Sequence, residues 1–180
     1  MRTAVFFLSL LVMGAQSAAT DRAAWNRPVE PFRIIGNVYY VGAEGVSAFL
    51  IRTSDGLVLL DGALPETATQ IAANIATLGF SPRDVKVLIN SHAHFDHGGG
   101  IAELKRLTGA SLAVSAADAP ALEAGGPDMP AVRVDRRLAD GDRVRLGETT
   151  LTAHLTPGHT KGCTTWTMTA QEDGRGHDVL

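Results

Sequence analysis

The sequence has almost nothing with which to cross-link itself: one cysteine, Cys163, in 180 residues. A disulfide framework within the chain is excluded, so stability has to come from a packed core. A basic excess is also lacking. There are 16 Lys and Arg against 19 Asp and Glu, a formal net charge of −3, which argues against a nucleic-acid surface. Internal repeats, low-complexity tracts and long linkers are missing. So is a long apolar run: the stretch from Ala4 to Met13 has ten residues, and a spanning helix needs about 20.

What is present is 45% hydrophobic residues, enough for a core and too many for a disordered chain. Residues 1–19 follow the pattern of a signal peptide. Arg2 supplies the positive start, Ala4 to Met13 the apolar centre, and Ser17 and Ala19 the small residues of a cleavage site. The expectation is an exported, periplasmic protein whose mature part, residues 20–180, is one soluble domain without a membrane span.

Thr20 to Pro31 is polar and Pro-interrupted, a lead-in segment. Phe32–Val41 and Val46–Thr53 are rich in β-branched and aromatic residues and predict a hairpin around Gly42 and Gly45. Leu57–Leu60 reads as a short buried strand ending at Asp61. From Pro65 to Leu78 the apolar positions Ala68, Ile71, Ala72, Ile75 and Leu78 have helical spacing, closed by Gly79. Val85–Ile89 is apolar apart from Lys86, the mark of a strand covered on both faces. Helices are predicted at Ile101–Leu107 and Ala116–Ala124. Strands are predicted at Leu112–Val114, Val132–Leu138, Arg143–Leu146, Thr149–Leu155 and Thr164–Met168. Strands with interleaved helices imply a layered α/β or α+β domain.

The chemistry concentrates in two short segments. Ser91-His92-Ala93-His94-Phe95-Asp96-His97 directly follows the buried strand, and Thr156-Pro157-Gly158-His159-Thr160 follows the strand Thr149–Leu155. Four of the six histidines lie in these two loops. Alternate residues of an extended segment point the same way, so His92 and His94 can reach one metal ion. Asp96 and His97 lie past a bend and can aim at a neighbouring position. Imidazole and carboxylate together suit zinc and other first-row metals.

These segments resemble the metallo-β-lactamase superfamily. His92-x-His94-x-Asp96-His97 matches its signature, and Thr156 to Thr160 resembles its second metal-binding loop. The segments Trp25 to Gly42, Leu59 to Pro65, Ala102 to Lys105 and Gly158 to Thr167 are similar to the third subclass of class B β-lactamases. The resemblance implies an α+β fold, the αββα sandwich, with two zinc ions at one edge. It assigns His92, His94 and His159 to the first zinc, and Asp96 and His97 to the second. It implies hydrolysis of the β-lactam ring of an antibiotic by a metal-bound hydroxide that Asp96 orients, and hence antibiotic resistance. Other hydrolases of the superfamily, a glyoxalase-type thioesterase or a lactonase, share the metal motif. A zinc-binding fragment without activity is the reading from a different class.

The family's second zinc takes one more histidine from the C-terminal half. His177 is the only histidine after His159, and it lies in a hairpin turn and strand opening, so it is expected to be exposed and incidental. The chain is therefore expected to carry the N-terminal two-thirds of the family's domain and to lack one second-site ligand. His154 is expected to pack or to support a ligand. Asp61 is read equally as support for the site or as a turn residue. Cys163 is read as a small buried thiol or as half of a pair with a cysteine outside this sequence, and Trp166 as a core residue.

Overall fold

The computed structural model describes residues 22–179; the expected signal peptide, residues 1–19, lies outside them. Eleven strands form two sheets. β1 (Phe32–Ile35), β2 (Val38–Tyr40), β3 (Phe49–Thr53), β4 (Gly56–Leu60), β5 (Val85–Ile89), β6 (Ser111–Ser115) and β7 (Arg136–Leu138) follow in that order across the first sheet. β8 (Arg143–Leu146), β9 (Thr149–Leu155), β10 (Thr164–Glu172) and β11 (Arg175–Val179) make the second, in the order β11-β10-β9-β8.

The first sheet changes character at β4. β1 to β4 form an antiparallel meander, whereas β4 to β7 run parallel. Parallel neighbours need crossovers, and three helices supply them: α1 (Ala68–Thr77), α3 (Ile101–Thr108) and α4 (Ala119–Ala124). A single helical turn, α2 (Phe95–Gly98), lies between β5 and α3. The C-terminal ends of β4, β5 and β6 therefore open side by side at one edge, where ligands bind in open α/β sheets.

Two apolar clusters hold the layers. Ile71 and Ile75 of α1, Ile101 and Leu104 of α3, and Ala119 and Leu122 of α4 pack on Leu50, Leu57, Leu59, Leu88, Leu112 and Val114 of the first sheet. The opposite face of that sheet, with Val38, Ile51, Val58, Ile89 and Ala113, packs on Val144, Leu151, Ala153, Trp166, Met168 and Ala170 of the second. β5 feeds both clusters, Leu88 on one side and Ile89 on the other. This is why its sequence is apolar apart from the exposed Lys86. β9 and β10 cover the core with one face only, so their buried residues alternate with Thr150, Thr152, Thr165 and Thr167. The result is the expected α+β sandwich. Among the described residues no helix is long and apolar enough to cross a membrane.

Some boundaries differ from the sequence reading. The segment Phe32–Val41 is not one strand: Gly36, at φ +51°, turns the chain between β1 and β2. A side chain there would be strained, and its Cβ would lie 2.5 Å from the Gln171 carbonyl oxygen. The helix expected from Ala116 starts only at Ala119, and the strand expected from Val132 only at Arg136. β10 runs four residues further than expected, to Glu172, because its alternation continues through Ala170 to pair with β11.

Candidate metal centre

The edge where β4, β5 and β6 end gathers every residue that the sequence singled out for metal chemistry. The segment after β5 carries His92, His94, Asp96 and His97; the loop after β9 brings His159 across from the second sheet. Ligand-capable atoms of His92, His94 and His159 lie within 4.8 Å of one another, as do those of His92, Asp96 and His97. His92 belongs to both groups and stands between them. Its ring centroid is 4.1 Å from that of His97 and 4.6 Å from that of His159.

The imidazoles crowd, and one of them is left unsatisfied. His92 Nε2 is buried and has no hydrogen-bond partner. His94 Nδ1 lies 3.0 Å from His159 Nε2. A buried nitrogen without a partner is costly, and a divalent cation among these atoms would satisfy it together with its neighbours. The donor set of three imidazoles, with a carboxylate and a fourth imidazole alongside, fits a first-row metal. Burial pushes the pKa of His92 down, with His97 adding repulsion. That favours the neutral imidazole, the form that binds metal.

Asp61, at the end of β4, organises the other side. Its Oδ2 accepts from Ser91 Oγ at 2.7 Å and lies 2.8 Å from His97 Nδ1. Its Oδ1 accepts from Ser91 N–H at 2.7 Å and from Asn90 Nδ2 at 2.8 Å. The carboxylate is buried and supports the histidine segment, while its backbone, at φ +66°, turns the chain, so it fills both roles read from the sequence. A carboxylate in contact with Nδ1 leaves His97 Nε2 to face the site, the usual support for a metal-binding histidine. Burial lowers the pKa of His97, but the hydrogen bond to Asp61 and the charges of Asp61 and Asp96 outweigh it, and the net shift is upward. Asp96 lies beside this histidine, its Oδ2 3.7 Å from His97 Nε2.

Gly98 to Gly100 are where the turn after β4 sits on the histidine segment. Gly62 N–H donates to His97 O at 2.7 Å, and Gly100 N–H to Ala63 O at 3.2 Å. A Cβ at Gly100 would lie 2.2 Å from the Gly62 carbonyl oxygen. These glycines keep Asp61 within reach of His97.

The remaining candidates stay apart from the cluster. His154 is an exposed strand residue whose Nε2 lies 2.9 Å from Thr167 Oγ1, so it is neither packed nor in support of a ligand. His177 is exposed on β11, opposite Ala170. Cys163 is half-buried with a free thiol, and its carbonyl accepts from Thr156 N–H at 2.8 Å, closing the His159 loop. Trp166 is in the core as expected, and its Nε1 donates to the carbonyl of Asn90 at 3.1 Å.

Asp118 has no place in the sequence reading. It falls within the helix expected over Ala116–Ala124, where nothing sets it apart; the structure puts it just before a helix with Pro120 in its first turn. In the structure its carboxylate contacts both histidine loops.

The sequence model of the metallo-β-lactamase superfamily matches residues 41–170. The chain belongs to that superfamily, and its fold is the metallo-β-lactamase fold. It is similar to BJP-1, a subclass B3 metallo-β-lactamase of Bradyrhizobium japonicum, with 48% identity and a TM-score of 0.83 over 86% of this chain and 62% of that one. It is also similar to the FEZ-1 metallo-β-lactamase of Legionella gormanii, with 42% identity and a TM-score of 0.82 over 85% of this chain and 63% of that one. A curated relative, the hydroxyacylglutathione hydrolase of Rhodospirillum rubrum, is 34% identical over 98 residues, 54% of this chain and 34% of its own length. The chain thus spans less than two-thirds of the length of the proteins it matches.

Proposed function

We propose that the chain is the zinc-binding part of an exported β-lactamase that hydrolyses the β-lactam ring of antibiotics and so confers resistance. The observation that carries this reading is the likeness to subclass B3 enzymes, which extends through both sheets and far beyond the metal loops. His92, His94 and His159 would hold a first zinc, and Asp96 and His97 part of a second. Zinc bound there supplies Lewis acidity toward the lactam carbonyl and lowers the pKa of water to about 7.

The chain's own groups do the rest. Asp61 holds the His97 ring at Nδ1, which leaves Nε2 for a metal ion. Asp96, part-exposed beside His97, would orient the attacking hydroxide by accepting a hydrogen bond from its proton at a carboxylate oxygen. As oxygen bonds to the ring carbonyl carbon, the carbon–nitrogen bond breaks, and the proton passes to the released nitrogen. No covalent bond to the protein forms.

The curated relative favours a second reading, a thioesterase of the hydroxyacylglutathione type, with the same water attacking a thioester carbonyl. The two separate in one assay. The zinc-loaded protein is given a carbapenem, a cephalosporin and a hydroxyacylglutathione thioester. Opening of the β-lactam rings is the expected result. Thioester cleavage with both antibiotics intact would overturn it.

A further inference from the structure

The two histidine loops come from different sheets, and a carboxylate that belongs to neither ties them together. Asp118 follows β6 and stands at the N-cap position of α4, where an aspartate ordinarily accepts from the first N–H groups of its own helix. Its side chain makes no such bond. Its Oδ2 instead accepts from Ala93 N–H at 2.9 Å and from Thr160 Oγ1 at 2.7 Å, and its Oδ1 accepts from Gly162 N–H at 2.8 Å. Ala93 lies between His92 and His94, and Thr160 is next to His159. The residue is 5% exposed.

The approach is a close one. A Cβ at Gly162 would lie 2.0 Å from Ser115 Oγ and 2.7 Å from Asp118 Cγ, so only glycine lets this N–H reach the carboxylate. A backbone bond from Thr164 N–H to Ser91 O, 2.7 Å, joins the loops at their bases. Asp118 joins them at the histidines.

We propose that Asp118 is a positioning residue that fixes the His92–His94 segment against His159, so that the three imidazoles are arranged before a cation arrives. The inference rests on the reading of this cluster as a zinc site. Its physical basis is that a carboxylate can accept at both oxygens while an amide cannot. Donors reach Asp118 from both loops. In Asp118→Asn, a variant of nearly the same size, the amide NH2 must therefore face either the Ala93 or the Gly162 N–H. One of the two backbone bonds is lost whichever way the amide turns.

The test uses the full chain and two readouts. The first is hydrogen exchange at the Ala93 and Gly162 amides of the metal-free protein. The second is Zn²⁺ affinity by chelator competition, normalised to folded protein. Asp118→Asn is expected to lose exchange protection at one or both amides and to bind Zn²⁺ at the three-histidine cluster about 10- to 100-fold more weakly. Unchanged protection and affinity would overturn the proposal. So would a lower unfolding midpoint with unchanged affinity, since that is what a merely structural role gives. If Asp118→Asn does not fold, Thr160→Val removes one of the bonds and is judged by the same readouts. If the unaltered chain binds no Zn²⁺, the zinc reading fails, and the amide exchange still decides whether Asp118 locks the loops.

Discussion

Asp61 Oδ2 lies 2.8 Å from His97 Nδ1, although the two residues come from the ends of different strands. A carboxylate can only accept, so Nδ1 has to carry the proton and Nε2 is left free for a metal ion. The relationship selects one tautomer and links the fold of β4 to the chemistry of the site.

Asp61→Asn tests that selection. Asp61 has φ +66°, a conformation that asparagine tolerates, so the variant should fold. With the amide nitrogen at the Oδ2 position, His97 Nδ1 faces a donor and its proton moves to Nε2. Nitrogen NMR of the imidazole in the metal-free chain should show the reversed tautomer, and metal affinity at the second cluster should fall about 10- to 100-fold. Asp61→Ala, which strands the buried Asn90 and part-buried Ser91 donors, should also cost about 1–3 kcal/mol per stranded donor, read by urea unfolding. An unchanged tautomer in Asp61→Asn would contradict the account.

Trp166 couples the second sheet to the same segment through its bond to the carbonyl of Asn90. Trp166→Phe keeps most of the apolar contact and should cost about 1–3 kcal/mol for the buried carbonyl left without its donor. Trp166→Ala should cost about 3–5 kcal/mol. The contrast between the two unfolding midpoints separates the hydrogen bond from the packing.

Asp135 gives a pH dependence away from the site. Burial works against its charged form, but hydrogen bonds from Lys105 Nζ and Leu112 N–H, with the charges of Lys105 and Arg133, hold its pKa below the usual carboxylate range. A carboxyl group depressed in the folded state stabilises it above its unfolded pKa of about 3.9. That contribution is lost as the pH falls through the lower folded value. Asp135→Asn should flatten the acid side of the stability curve, by a modest amount because the pair is partly exposed. Parallel curves for the two proteins would count against the assignment.

His177 serves as the control. It is exposed on β11, so His177→Ala should change unfolding by less than about 0.5 kcal/mol and leave metal content unaltered. A loss of bound metal in this variant would place it among the ligands.

The legible parts of this molecule were those with a local signal. Val85–Ile89 is apolar apart from Lys86 because both its faces are covered, and the histidine segment beside it is dense enough to mark a candidate metal site from its spacing. Asp61 and Asp118 were not legible in the same way. Their partners lie 25 to 44 residues away in the chain, and each sits at a strand end or helix start where aspartate is common for other reasons. Gly98 to Gly100 read as a helix entry, while their requirement comes from the Asp61 turn resting against them. The break at Gly36 was missed because β-branched residues on both sides of it hide a positive φ.

Zinc content is the most direct measure of the central claim, that the loops after β5 and β9 form one metal site. The purified chain is equilibrated with Zn²⁺, dialysed and analysed by atomic spectroscopy beside His92→Ala, which removes the residue common to both clusters. The account predicts at least one tightly held zinc per chain, lost in His92→Ala and retained in His177→Ala. Equal zinc in the unaltered chain and in His92→Ala, or none in either, would contradict it.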